Sequence, residues 1–165
     1  MEYSTQGQTA AGRYAQLQSA RSTFDREAKE SSKLTIPSLI PESTTGTRAK
    51  IKTPFQAVGA RGVNSLASKL LFALLPPSTA FFKLSIDSLE LLKQGQEGLE
   101  TEIDKGLRTI ETALMNEIEI SNDRVAMFEA LKHLIVGGNV LLYLTDDGLK
   151  VYPLSKFVCK RDAVG

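Results

Sequence analysis

Leu99, Ile103, Leu107, Ile110, Leu114 and Ile118 follow one another at intervals of 4, 4, 3, 4 and 4, with Glu, Asp, Lys and Arg between them. A strand repeats every two residues and cannot keep that spacing, whereas an α-helix places all six on one stripe. This is the strongest periodic signal in the chain, and it predicts a long amphipathic helix over 97–120.

The following residues extend the pattern. Asn122 or Asp123 restarts a helix that carries Val125, Phe128, Leu131 and Ile135, and Gly137–Gly138 stops it. NVLLYLT, then Asp146-Asp147-Gly148, then LKVYPL reads as a β-hairpin on an Asp-Gly turn. FVCKRDAVG begins a further strand and a turn. A strand with no return partner leaves its backbone groups unpaired, so the expectation is a fragment, or a sheet completed by a neighbour.

The N-terminal part is patterned differently. Residues 8–33 predict a helix with Tyr14, Leu17, Phe24 and Ala28 on a thin stripe. Residues 34–52, LTIPSLIPESTTGTRAKIK, form a loop with two extended apolar anchors, Ile36 and Leu39–Ile40. In the next helix Thr53 and Gln56 make a capping box and Pro54 takes the first helical position. Phe55, Val58, Val63, Leu66, Leu70 and Leu74 form its stripe, and Pro76–Pro77 ends it. FFKLSI (81–86) alternates as a strand does. The fold class is therefore α+β, mostly helical with short antiparallel strands. It divides into an N-terminal helix (1–33), a loop (34–52), and helices with a small sheet (53–165).

Composition supports one folded soluble domain: 165 residues, 42% hydrophobic and 24% charged, without internal repeats or a long linker. Residues 1–80 hold ten Lys/Arg against five Asp/Glu, and residues 81–165 hold ten against fourteen. The basic half allows contact with a polyanion or an acidic protein face without demanding it. The single cysteine, Cys159, excludes an intrachain disulfide and fits a reducing compartment. MEYSTQGQTAAGRY has no apolar signal core, and LLFALL and LIVGGNVLLYL fall short of the ~20 residues that span a bilayer.

No motif supplies catalysis. GARG (59–62) lacks the Gly-Lys-Ser/Thr ending and the preceding strand of a phosphate loop. Gly59, Ala60 and Gly62 instead suggest a bare patch that, with Arg61, serves close helix packing or a subunit contact, because mid-helix glycines cost about 1 kcal/mol each against alanine. His133 is the only histidine and has no partners at metal-ligand spacing. Cys159 alternates with Phe157, as a small buried apolar side chain on a strand would. Asp146–Asp147 are turn residues, and Glu117 and Glu119 lie on a solvated helix side. The expectation is no active site, no metal and no cofactor. In TRAKIKT (47–53) an extended backbone would set Arg48, Lys50 and Lys52 on one side, a comb suited to phosphates or an acidic face. No aromatic residue is interleaved for base stacking.

Four stretches, TIPSLIP (35–41), TPFQAVGARGVNSLASKLLFALLPP (53–77), RVAMFEALKHLIVGGNVLLYL (124–144) and LSKFVCKRDAVG (154–165), together resemble the portal, or head-to-tail connector, proteins of short-tailed bacteriophages. The similarity runs in order from about residue 10 and corresponds to roughly the first third of a family member. It implies a homo-oligomeric ring, usually of twelve subunits, at one capsid vertex of the virion, assembled in the host cytoplasm. Double-stranded DNA passes through the ring during packaging and ejection. The implied partners are capsid and scaffolding proteins, the terminase motor and a tail adaptor; no membrane is involved, and the ATPase belongs to the motor. The region present resembles the outer wing. Two other classes are a helical DNA-binding or adaptor module and an enzyme domain with catalytic residues downstream.

Overall fold

The computed structural model describes residues 9–41, 54–77, 79–85 and 99–160. Among these residues the chain forms α1 (Ala10–Ala20), α2 (Ser22–Leu34), α3 (Val58–Leu74), α4 (Leu99–Ile120) and α5 (Asp123–Gly137). An antiparallel pair follows, β1 (Val140–Thr145) and β2 (Gly148–Pro153), and then a 3₁₀ turn, Leu154–Lys156. The fold is α+β and mostly helical.

Helix α5 is the centre. It touches α2, α3, α4, β1 and β2, and Ala130, Leu131, His133, Val136 and Gly137 are buried in it. A helix apolar around most of its circumference belongs in an interior. It ends as predicted, at Gly138, whose φ of 70° is left-handed and whose N–H donates to the Leu134 carbonyl at 2.8 Å. The Phe24 ring lies 3.2 Å from where a Cβ on Gly138 would stand, so this stop also packs α2 against the end of α5.

The main core joins Ala28 of α2, Leu39 and Ile40 of the following loop, Val63 of α3, Val136 of α5 and Leu154 after the hairpin. Ile36, Ile135 and Phe157 pack against it. The TIPSLIP segment does anchor the core, but as a turn and not as extended chain: the Leu39 N–H donates to the Ile36 carbonyl at 3.1 Å. Ser32, fully buried, organises that turn. Its hydroxyl donates to the Ile36 carbonyl (2.8 Å) and accepts from the Ile40 N–H (3.2 Å).

The predicted hairpin forms with Thr145 opposite Gly148, so Asp146 and Asp147 make a two-residue loop. Gly148 has a φ of 113°, which a side chain would resist. Asp123, at the start of α5, clasps the hairpin. One carboxylate oxygen accepts from the Leu149 N–H at 2.9 Å and the other from the Ser121 hydroxyl at 2.9 Å.

Several further expectations change. The helix predicted over 8–33 is broken at Arg21, where φ is −95° and ψ 2°. There the guanidinium reaches across the fold and donates to carbonyls distant in sequence. The helix expected from Thr53 begins at Val58 instead, after Ala57 as its N-cap. Phe55, Gln56 and Ala57 are exposed, so no packing holds a further turn; Pro54 does not take the first helical position, and the expected capping box depends on Thr53, which lies outside the described residues. Residues 81–85 make no strand: the Leu84 N–H donates to Glu111 Oε1 at 2.6 Å instead of to a ladder partner. Phe157 is extended (φ −140°, ψ 160°), but 157–160 pair with no strand among the described residues. Cys159 is consequently exposed, not buried, because no sheet covers it.

Candidate functional site

The basic comb of Arg48, Lys50 and Lys52 lies outside the described residues. The GARG patch is described, and its two glycines face different surroundings. A Cβ on Gly59 would collide with the Leu34 carbonyl oxygen and press on Thr35 Cα at 3.1 Å, so α3 crosses the end of α2 at the closest distance the backbones allow. A Cβ on Gly62 would meet nothing within 4 Å. Arg61, between them, is exposed.

The helical period explains this split. Val63 and Ala67 are the buried residues of α3 and look towards α5. Val58, Gly62 and Leu66, each four residues on from the last, occupy the outer side. The stripe expected from Phe55 to Leu74 is thus two faces: Val63 is buried and Leu70 partly covered, whereas Phe55, Val58, Leu66 and Leu74 are exposed. Arg124 of α5 fixes the far end of α3. Its Nη1 donates to the Leu75 carbonyl (2.8 Å) and its Nη2 to the Pro76 carbonyl (3.1 Å), satisfying acceptors that a helix end leaves open.

The same rotation appears in α4. Met115 is its buried residue, and Ile103, Leu107 and Ile118 are partly covered, but Ile110 and Leu114 are exposed. Gly106, one turn before Ile110, has open space where a Cβ would be. On the hairpin Leu141, Leu142, Tyr143, Leu144 and Tyr152 are exposed as well. Monomeric proteins seldom leave so many neighbouring apolar side chains in water.

Arg21 joins the two ends of the described chain. Its Nη1 donates to the Phe157 carbonyl and its Nη2 to the Leu154 carbonyl, both at 2.9 Å. Its Nε lies 2.9 Å from Asp25 Oδ1, and its guanidinium carbon sits 5.9 Å from the Phe157 ring centre. Neither Arg21 nor Arg124 stands out in the sequence, since a lone arginine in a helical pattern reads as a solvated charge. Gly106 was equally silent: only the burial of Met115 shows which side of α4 turns outward.

His133 is buried, with Nε2 3.9 Å from Glu129 Oε1 and Nδ1 without a hydrogen-bond partner. Burial lowers its pKa below the usual histidine value; the Glu129 charge raises it in part and Lys132 lowers it. Among the described residues no three His, Cys, Asp or Glu side chains converge as metal ligands. The open depression beside Gln18, Ser22, Asp25 and Arg26 lies on α1 and α2, away from His133. No helix among the described residues is long and apolar enough to cross a membrane. The exposed apolar faces of α3, α4 and the hairpin are suited to contact with other protein.

Residues 7–165 match the family model described as bacteriophage head to tail connecting protein. The chain belongs to this family. It is 42% identical over 160 residues to the portal protein of Escherichia phage T7, covering 92% of this chain and 30% of that relative. It is 42% identical over 163 residues to the portal protein of Enterobacteria phage T3, covering 94% and 30%. To the portal protein of Enterobacteria phage SP6 it is 31% identical over 175 residues, covering all of this chain and 32% of that relative. The chain thus spans about a third of the length of these curated relatives.

Proposed function

We propose that this chain is the N-terminal, wing-like part of a portal subunit, and that identical subunits close into a ring at one vertex of a phage capsid. The observation that carries the reading is the match of residues 7–165 to the head-to-tail connecting family. Three exposed apolar faces in one small fold support it, because a ring subunit must offer two different surfaces to its neighbours.

In this reading the ring, of twelve subunits, is the conduit through which double-stranded DNA is packaged and later ejected. It is assembled in the host cytoplasm with scaffolding and capsid proteins, receives DNA from the terminase motor and then binds a tail adaptor. The subunit has no chemistry of its own. Gly59 sets the crossing of α3 on α2 within the subunit, and Arg61 and Gly62 lie on the side available to a neighbour. Arg48, Lys50 and Lys52 meet DNA phosphates or an acidic face of the neighbouring subunit.

Electron microscopy and native mass measurement of the full-length protein test the proposal. The expected result is a ring with a central hole wide enough for a DNA duplex. A lone particle under every assembly condition, or turnover of a substrate by the protein unaided, overturns it. Charge reversal at Arg48, Lys50 and Lys52 is expected to weaken assembly or DNA retention; if both stay unchanged, the comb has no such role.

A further inference from the structure

We infer that the outer face of α3 in one subunit docks on the outer face of α4 in the next. The inference rests on the ring reading above and names the two surfaces that close it.

Each face is an apolar strip at helical spacing with a bare glycine. On α3 Val58 is 67% exposed and Leu66 46%, with Gly62 between them. On α4 Ile110 is 51% exposed and Leu114 44%, with Gly106 one turn before. A Cβ at either glycine would meet nothing of its own chain within 4 Å, so each offers a hollow for a neighbour's aliphatic side chain. Both helices pack on α5, yet these residues stay open, so folding of one chain does not bring the two strips together.

The charges complement one another. Helix α3 carries Arg61 and Lys69 and no acidic residue. Helix α4 carries six acidic residues and two basic ones. At 100° per residue, Glu102 and Glu117 border the Gly106–Ile110–Leu114 strip, while Lys105 and Arg108 fall on the other side. Among the described residues, no ion pair within the chain engages Arg61, Lys69, Glu102 or Glu117. A basic-rimmed strip and an acidic-rimmed strip attract each other, and each repels its own kind, which sets direction as well as affinity. Because the two strips are different surfaces of one chain, every copy has both, and the contact is the head-to-tail type that closes rings.

Two charge-reversed forms of the full-length protein test this. One is Arg61→Glu with Lys69→Glu; the other is Glu102→Lys with Glu117→Lys. Each alone is expected to run at monomer mass where the wild type forms rings. Mixed in equal amounts they should co-assemble, since each reversed strip now meets its complement, giving even-numbered rings with equal content of both. Rings from either variant alone, or no recovery on mixing, overturn the inference.

As a second measurement, Leu66→Cys with Ile110→Cys in a Cys159→Ser background should oxidise to a ladder of multimers on a denaturing gel. Each single-cysteine form should not. A ladder absent from preformed rings places another occupant, such as a further segment of the same chain, on these faces and overturns the docking. If the wild type forms no ring, the portal reading fails first; if wild-type and both reversed rings form alike, only this contact fails.

Discussion

The carbonyl oxygen of Leu34 stands where a Cβ on Gly59 would have to be, while three residues further on Gly62 faces open space. The two glycines therefore respond oppositely to one methyl group. Gly59→Ala forces α3 off the backbone of α2, an overpacking that costs about 1–3 kcal/mol and outweighs the gain in helix propensity. Gly62→Ala has only that gain, about 1 kcal/mol. Urea unfolding of the unassembled protein should move to lower midpoint for the first and to higher for the second.

Arg21 makes two hydrogen bonds to carbonyls more than 130 residues away in sequence. Its side chain is largely buried, so Arg21→Ala leaves both acceptors without their partner. The expected loss is about 2–3 kcal/mol, the range for bonds to a charged donor. Arg21→Lys, without the planar fork, should recover only part of it. Chemical denaturation gives the loss, and amide hydrogen exchange around Phe157 should accelerate.

His133 makes stability depend on pH. Its folded pKa lies below the unfolded value near 6.5, so between the two the unfolded chain binds more protons. The stability it contributes is present above pH 6.5 and is lost as pH falls through the folded pKa. Unfolding midpoints measured from pH 8 down to pH 5 should therefore decline, and His133→Gln should reduce the slope of that decline. A slope unchanged by the substitution would assign the effect elsewhere.

Asp123 holds the Leu149 N–H, and a Cβ on Gly148 would come within 3.2 Å of the same carboxylate oxygen. Asp123→Ala loses this bond and a favourable charge at the start of α5, together about 1–2 kcal/mol. Gly148→Ala adds strain at a φ of 113°. Both should raise exchange at the hairpin amides before they affect α3, which is tied to α5 through Arg124.

Much of this architecture was readable from periodicity. The 4-4-3-4-4 spacing from Leu99 to Ile118 does mark a helix, Gly138 does end α5, and the Asp146–Asp147 loop does turn the hairpin. Local rules of this kind act within a few residues. Which side of a helix is covered depends on partners distant in sequence, so Ile110 and Leu114 read as core and are exposed. The FFKLSI alternation failed for the same reason: alternation states a preference, but a strand needs a partner, and Glu111 took the Leu84 donor first. Of the candidate site, Gly59, Arg61 and Gly62 were visible as an anomaly in a helix, whereas nothing in the sequence singled out Gly106. The comb at Arg48, Lys50 and Lys52 was legible as basic residues alternating with apolar ones, and it falls outside the described residues.

The clamp between Arg21 and Phe157 also has a temporal meaning. The two residues are 136 positions apart, so on a ribosome that emits the chain from its N-terminus the first helices are made long before their acceptors exist. Helices α1 and α2 must wait, undocked at that end, until the segment after the hairpin has left the exit tunnel. A contact of such long sequence range slows folding, and it makes residues that emerge much later the ones that lock the first helices in place.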